Sequence, residues 1–247
     1  MDSKLWQIPI PKIPVSELTK ISDQLLLRID TIAKQSKVLF AISFSAEDMV
    51  LLDYAVTVNQ PWMFVTLDTG RLPVETLQFI QLVQKEYQIK IISIPPDQES
   101  TIAFVSNHGE NGFYKGIEQK NQCCHARKVL PLSNIKTQVQ AWVTGQRRLQ
   151  STTRADIQFE ELESGSLIKF NPLYDWSEEL VWAVCHWKQI PIHPLYRLGY
   201  PSIGCAPCTR AVQSGDDVRA GRWWWLSSQQ KECGLHKNIT INRTSID

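Results

Sequence analysis

Five of the six cysteines are grouped: the adjacent Cys123 and Cys124, the C-x-x-C pair Cys205 and Cys208, and Cys233 in a polar C-terminal segment. Only Cys185 stands apart. Two close pairs can set four thiolates around one metal centre, while a cysteine in a short polar segment is free to react. Tetrahedral sulfur ligation suits both zinc and an iron–sulfur cluster. Directly adjacent cysteines splay apart and reach two metal atoms more easily than one, which favours a polynuclear cluster over zinc, with unliganded or disulfide-bonded cysteines as the third reading. Arg127, Lys128 and Arg210 lie nearby in sequence and would moderate the negative charge of such a centre. Lys231, His236 and Lys237 favour the thiolate of Cys233. Cys185, between Trp182 and Trp187 on a helical pattern, reads as a buried and inert thiol. His108, His125, His186 and His193 show no metal-ligand spacing.

A second set of residues suits an anion. Ser43 and Ser45, the run Asp68-Thr69-Gly70-Arg71 and the run Gly145-Gln146-Arg147-Arg148 each follow a short apolar segment. Loop amides and helix N-termini beyond strand ends bind phosphates in doubly wound sheets, although Ser and Asp at such places also serve simply as helix caps. Arg154, Arg219 and Arg222 add guanidinium groups with a fork geometry for phosphate or sulfate. The run Trp223-Trp224-Trp225 is read as core or interface packing in preference to a base-stacking platform.

The elements that must position these residues follow from periodicity. Leu18, Ile21, Leu25, Ile29 and Ile32 recur every three or four positions and predict an amphipathic helix over 16–34. Strands are expected at 38–42, 62–66, 90–94 and 141–144, with helices after the first two, the second running 73–87 with proline in its first turn. Residues 107–122 read as a loop that delivers Cys123 and Cys124 to the start of a helix. Asp175 or Ser177 caps a helix to about residue 188, with Trp176, Leu180, Val184 and Trp187 as its apolar face. Strands alternating with helices require crossovers, so the expected core is a mostly parallel sheet covered on both faces. The expected division is a large domain, 1–225, and a mobile tail, 226–247.

A length of 247 residues allows one large core, and a net charge of +1 excludes nucleic-acid binding through bulk charge. No secretory leader or long apolar run is recognised, so the expectation is a cytoplasmic protein without a membrane anchor, in which clustered cysteines serve metal or redox chemistry.

The segments Cys123-Cys124-His125-Ala126-Arg127-Lys128, Gly145-Gln146-Arg147-Arg148-Leu149-Gln150-Ser151, Ser202-Ile203-Gly204-Cys205-Ala206-Pro207-Cys208-Thr209-Arg210, Gly221-Arg222-Trp223-Trp224-Trp225 and Glu232-Cys233-Gly234-Leu235-His236 closely resemble assimilatory adenylyl-sulfate reductases, the cluster-bearing branch of the phosphoadenylyl-sulfate reductase family. The resemblance runs from about residue 38 to 237. It implies an adenine-nucleotide alpha-hydrolase-like α/β fold, doubly wound, with a C-terminal redox tail. It further implies one 4Fe–4S cluster on Cys123, Cys124, Cys205 and Cys208, with Cys233 as nucleophile and Lys128 bridging cluster and substrate. Arg154, Arg219 and Arg222 would bind the phosphosulfate, Ser45, Leu67 and Gly145 would line the nucleotide pocket, and His236 would join the substrate contacts. The implied reaction reduces adenosine 5'-phosphosulfate to sulfite and AMP through an S-sulfocysteine. The implied reductant is thioredoxin or glutaredoxin in trans, since the chain ends at Asp247 without a fused redox domain, and a homo-oligomer is compatible with it. The rival substrate is 3'-phosphoadenylyl sulfate, alone or alongside the first. A nucleotide-activating ligase or tRNA sulfurtransferase would want a Ser-Gly-Gly-x-Asp-Ser loop that residues 43–48 do not supply, and the remaining rival is a zinc-stabilised binding module.

Overall fold

The computed structural model describes residues 4–58, 60, 62–151, 154–163 and 165–227. Helix α1 (Val15–Ala33) precedes strand β1 (Val38–Ala41), and helix α2 (Ala46–Ala55) leads to strand β2 (Met63–Leu67). Helix α3 (Val74–Tyr87) leads to strand β3 (Ile92–Ile94), after which come helices α4 (Gln98–His108), α5 (Ile117–Cys124) and α6 (Leu130–Lys136). Strands β4 (Ala141–Val143), β5 (Glu160–Leu162) and β6 (Ile168–Phe170) and helix α7 (Glu178–Trp187) complete the regular elements.

The six strands form one sheet in the order β3-β2-β1-β4-β6-β5. Only the β5–β6 pair is antiparallel. The two-residue side-chain period divides the central strands between two cores. Val38, Phe40, Ala141 and Val143 face one that includes Leu25, Ile29, Met49 and Val184, while Leu39, Val65 and Trp142 face the other with Leu132. Coverage on both faces is what an all-parallel central sheet requires. Successive connections run outward from β1 to β2 and β3, and the chain then returns to place β4 on the other side of β1. The sheet therefore has its switch point between β1 and β4, where a crevice opens beyond the strand ends.

Two expectations are corrected, and one strand pair is new. Residues 107–122 are not a loop: α4 runs to His108, a 3-10 turn spans Gly112–Lys115, and α5 carries Cys123 and Cys124 at its C-terminal end. Glu118, Gln119, Lys120 and Gln122 are good helix formers; Glu118 and Gln122 give the helix its exposed face, while Lys120 points inward. Of the apolar face expected around α7, Trp176 and Val184 are buried and Leu180 packs against the core, but Trp187 is 37% exposed; Val181, Trp182, Ala183 and Cys185 complete the buried face. Strands β5 and β6 were not anticipated; Lys169, in the middle of β6, is buried and pairs with Glu161 at 2.9 Å.

Candidate active site

A cleft of about 450 Å³ opens at the carboxyl ends of β1, β2 and β4. Its size suits a nucleotide-sized ligand. Seven of the expected substrate residues, Ser45, Leu67, Lys128, Gly145, Arg154, Arg219 and Arg222, line this single cleft. Cys233 and His236 lie outside the described residues, as does all of the expected tail beyond residue 227.

The loop after β1 is built by its own side chains. Ser45 caps α2, its hydroxyl accepting from the Asp48 N–H at 3.2 Å, so the capping and lining roles coincide in one residue. The Ser43 N–H and hydroxyl both donate to Asp48 Oδ2 at 2.6 Å. Burial pushes the Asp48 carboxyl up to about 6 against these bonds. Gly145 meets this loop so closely that an added Cβ would sit 2.5 Å from Asp48 Oδ1. Glycine here allows the β1 and β4 loops to touch. Phe44 and Trp223, two bulky residues on the cleft wall, hold positive φ values of 64° and 41°, a strained backbone of the kind that gathers at functional sites.

The expected phosphate loops divide their labour differently from the sequence pattern. Arg147 is buried against Glu47, with Nε and Nη2 donating to Oε1 at 2.9 and 2.8 Å. Burial works to raise the Glu47 carboxyl, but Arg147 and Gln150 hold it below the ordinary carboxylate value. Arg148 stacks on Tyr174 and donates to the Ile157 carbonyl at 2.7 Å, so both loop arginines are structural. Arg222, 7% exposed, donates to the Ile203 carbonyl at 2.8 Å and rests over the Trp223 ring, while its buried Nε–H has no acceptor among the described residues. An unspent donor in a cleft wall suits an anionic ligand.

Beside this cleft lies a smaller cavity walled by Cys123, Cys124, Cys205 and Cys208 together with Arg71, Phe113, Lys120, Arg127, Lys128 and Pro207. Lys128 belongs to both walls. A π-helical turn, His125–Val129, follows the adjacent cysteines and carries Arg127 and Lys128. Such turns recur at functional sites. The second pair sits on a short 3-10 turn, Ala206–Cys208, pinned by the Ala206 N–H on the Arg71 carbonyl at 2.8 Å and the Trp223 N–H on the Cys208 carbonyl at 3.1 Å. Cys205 Sγ lies 3.3 Å from the Thr69 hydroxyl.

Burial raises the Cys123 thiol above its ordinary value against the pull of Arg127, and burial together with Cys205 pushes Cys208 up to about 12. Thiolates packed this way would repel each other, which a cationic metal centre would relieve. Among the described residues no group of three or more His, Cys, Asp or Glu side chains is placed to hold a metal ion. The four cysteines share one cavity wall with four basic residues, and thiolate sulfur is the donor type a metal–sulfur centre would take.

Lys120 was missed in the sequence, and Arg71 was assigned to the anion loops but lines the cysteine cavity instead. Lys120 is 1% exposed and stacks over Trp223; it precedes Cys123 by three residues, a helical spacing that would have placed it on the same face. Arg71 leaves the nucleotide side to meet Glu110, Asn111 and Phe113. Arg210, expected near the cysteines, instead stacks on Trp224. Trp223 is buried, in keeping with packing rather than base stacking. Cys185 is buried with its thiol raised by desolvation, as expected of an inert group. His193 is also buried; its Nδ1 accepts from Leu195 N, so Nε2 carries the proton and donates to Thr76.

A family model described as the phosphoadenosine phosphosulfate reductase domain matches residues 37–211. The chain is 47% identical over 215 residues to the adenosine 5'-phosphosulfate reductase of Burkholderia cepacia, covering 87% of this chain and 85% of that one. It is 42% identical over 239 residues to the protein of the same name from Neisseria meningitidis serogroup A, covering 94% and 97%. The phosphoadenylyl-sulfate reductase of Candida auris in a phosphate complex superposes with a TM-score of 0.63 at 24% identity, over 83% of this chain and all of that one. Candida glabrata FMN adenylyltransferase, solved with FMN and an ATP analogue, shares the fold at a TM-score of 0.55 and 16% identity, over 90% of this chain and 76% of that one.

Proposed function

The chain belongs to the phosphoadenosine phosphosulfate reductase domain family, and from that premise we propose that it reduces adenosine 5'-phosphosulfate to sulfite and AMP in sulfate assimilation. The observation that carries this reading is the common wall: Lys128 faces both the cleft holding Arg154, Arg219 and Arg222 and the cavity holding the four paired cysteines. An anion bound by the arginines would lie beside the cysteine centre. The curated relatives that match at 42–47% identity are named for the 5'-phosphosulfate, so the 3'-phosphorylated nucleotide is not favoured.

In the proposed reaction the Cys233 thiolate attacks the sulfur of the phosphosulfate, an S–S bond forms, the S–O bond to phosphate breaks, and AMP leaves with that electron pair. Lys128 and the three arginines stabilise the oxygens that gain charge as AMP departs. His236 adds a substrate contact from the same tail segment. A thiolate of thioredoxin or glutaredoxin then attacks Cys233 sulfur, and sulfite leaves with the electron pair. The partner's second thiol resolves the mixed disulfide, so two thiols are oxidised as one sulfonate is reduced to sulfite.

Cys123, Cys124, Cys205 and Cys208 would hold a 4Fe–4S cluster, supported by their shared cavity and its basic rim. When bound, that group would supply a fixed local charge and a structural clamp beside the anion. Cytoplasmic location and assembly as a homo-oligomer belong to the same reading; among the described residues no helix is long and apolar enough to cross a membrane.

The test is the initial rate of AMP release with reduced thioredoxin, comparing the two nucleotides in the protein and in Lys128→Ala. Turnover of adenosine 5'-phosphosulfate that exceeds the 3'-phosphorylated form, and that Lys128→Ala lowers by about a hundredfold, supports it. Equal turnover by Lys128→Ala contradicts the shared-wall arrangement.

A further inference from the structure

Arg154 reaches the cleft from a short segment after β4, and a chain of side chains ties it to the opposite side of the switch point. Gln150 Nε2 donates to Glu47 Oε1 at 2.9 Å, and its Oε1 accepts from the Arg147 backbone N–H at 3.1 Å and from Arg154 Nη1. Glu47 is held in turn by Arg147. We infer that Gln150 is a positioning residue for substrate binding, its amide locked by Glu47 so that its carbonyl aims the Arg154 guanidinium into the cleft. This rests on the function proposed above.

The physical argument is one of orientation. An ionised carboxylate only accepts, so the Gln150 amide must present its NH₂ to Glu47 and therefore its oxygen to Arg154. Turning the amide over would set two acceptors together at Glu47 and two donors together at Arg154. Glu47 is 8% exposed and Arg147 5% exposed, so the anchor at the far end of the chain is buried and well formed. Holding the carboxyl below its ordinary value keeps it an acceptor throughout the neutral range. A neutral carbonyl orients a guanidinium without cancelling its charge, which a glutamate at this position would do. The result is a cation preorganised for an anion, a condition under which less ordering is lost on binding.

The test is a double-mutant cycle on kcat and KM for adenosine 5'-phosphosulfate, with thermal melting to confirm folding. Gln150→Met keeps the volume and removes the three hydrogen bonds to Glu47, Arg147 and Arg154; Gln150→Ala is the second variant and needs no repacking, because Gln150 is only partly buried. Each is expected to raise KM about tenfold with kcat changed less than about threefold, and to add less than about twofold in an Arg154→Ala background. Additive effects would mean that Gln150 acts on general structure and would overturn the inference. So would Gln150 variants that match wild type while Arg154→Ala weakens binding, a result that leaves the proposed function standing. Wild-type kinetics in Arg154→Ala would instead remove Arg154 from the substrate site and take the inference with it.

Discussion

The contact between Gly145 and the β1–α2 loop gives a sharp perturbation, Gly145→Ala. The added methyl would lie 2.5 Å from Asp48 Oδ1, 2.9 Å from Glu47 Cβ and 3.3 Å from the Asp48 nitrogen. Ordinary contact begins near 3.4 Å, so Asp48 must recede by roughly 0.9 Å. It cannot do so freely, because two 2.6 Å bonds tie its carboxylate to Ser43 and its own N–H is bound by Ser45. Overpacking of this kind costs about 1–3 kcal/mol. Urea unfolding should show that loss as a lower midpoint with an unchanged slope. The same displacement carries Ser45 away from the cleft, and AMP affinity measured by calorimetry should fall by about ten- to a hundredfold. A variant that unfolds and binds AMP like wild type would refute the close approach of the two loops.

Two further outcomes follow from buried groups. Burial raises Asp48 from 3.8 to about 6 and lowers His193 from 6.5 to about 4. The folded state takes up a proton on Asp48 before the unfolded chain does, so stability is gained as pH falls from about 6 towards 4 and lost again as pH rises. His193 has the opposite sign: the unfolded chain is protonated first, and stability is lost over pH 6.5 to 4. The two oppose each other, so nucleotide-free Asp48→Asn should lose stability in acid more steeply than wild type, by up to ~3 kcal/mol at ~1.4 kcal/mol per pH unit; parallel curves from chemical unfolding would refute it. On the cysteines, anaerobically purified protein should contain about four iron atoms and four acid-labile sulfides, Cys123→Ser should lose them, and Cys185→Ala should keep them with a stability cost of about 1 kcal/mol. Retained iron in Cys123→Ser, or zinc in its place in wild type, would contradict the cluster assignment.

The central strands were legible because apolar runs such as Val38–Ala41 and Met63–Leu67 are buried on both faces and end at polar turns. The edge of the sheet was not. In β5 and β6 the residues Glu160, Glu161 and Lys169 hide a strand pair whose buried charge is satisfied by partners distant enough that local pattern cannot reveal them. Residues singled out by their type do come together: the paired cysteines and Lys128 line the smaller cavity, and Lys128 and the arginines at 154, 219 and 222 line the cleft. Residues whose role depends on a tertiary partner were misread or missed. Arg147 looks like a phosphate ligand until Glu47 is seen beside it, and Arg71 and Lys120 acquire meaning only when α5 and the 205–208 turn enclose one cavity. Ser45 was ambiguous between capping and binding because it caps α2 and also lines the cleft.

The central claim is that an anion held beside Lys128 is attacked by a cysteine that is not one of the four in the cavity. Intact-protein mass spectrometry after mixing anaerobic protein with adenosine 5'-phosphosulfate, without thioredoxin, addresses it directly. A gain of one sulfonate is expected, mapped to Cys233, released as sulfite by reduced thioredoxin, and absent in Cys233→Ser, which should retain its iron–sulfur absorbance. An adduct on Cys123, Cys124, Cys205 or Cys208, or no adduct from protein with a full complement of iron, would contradict it.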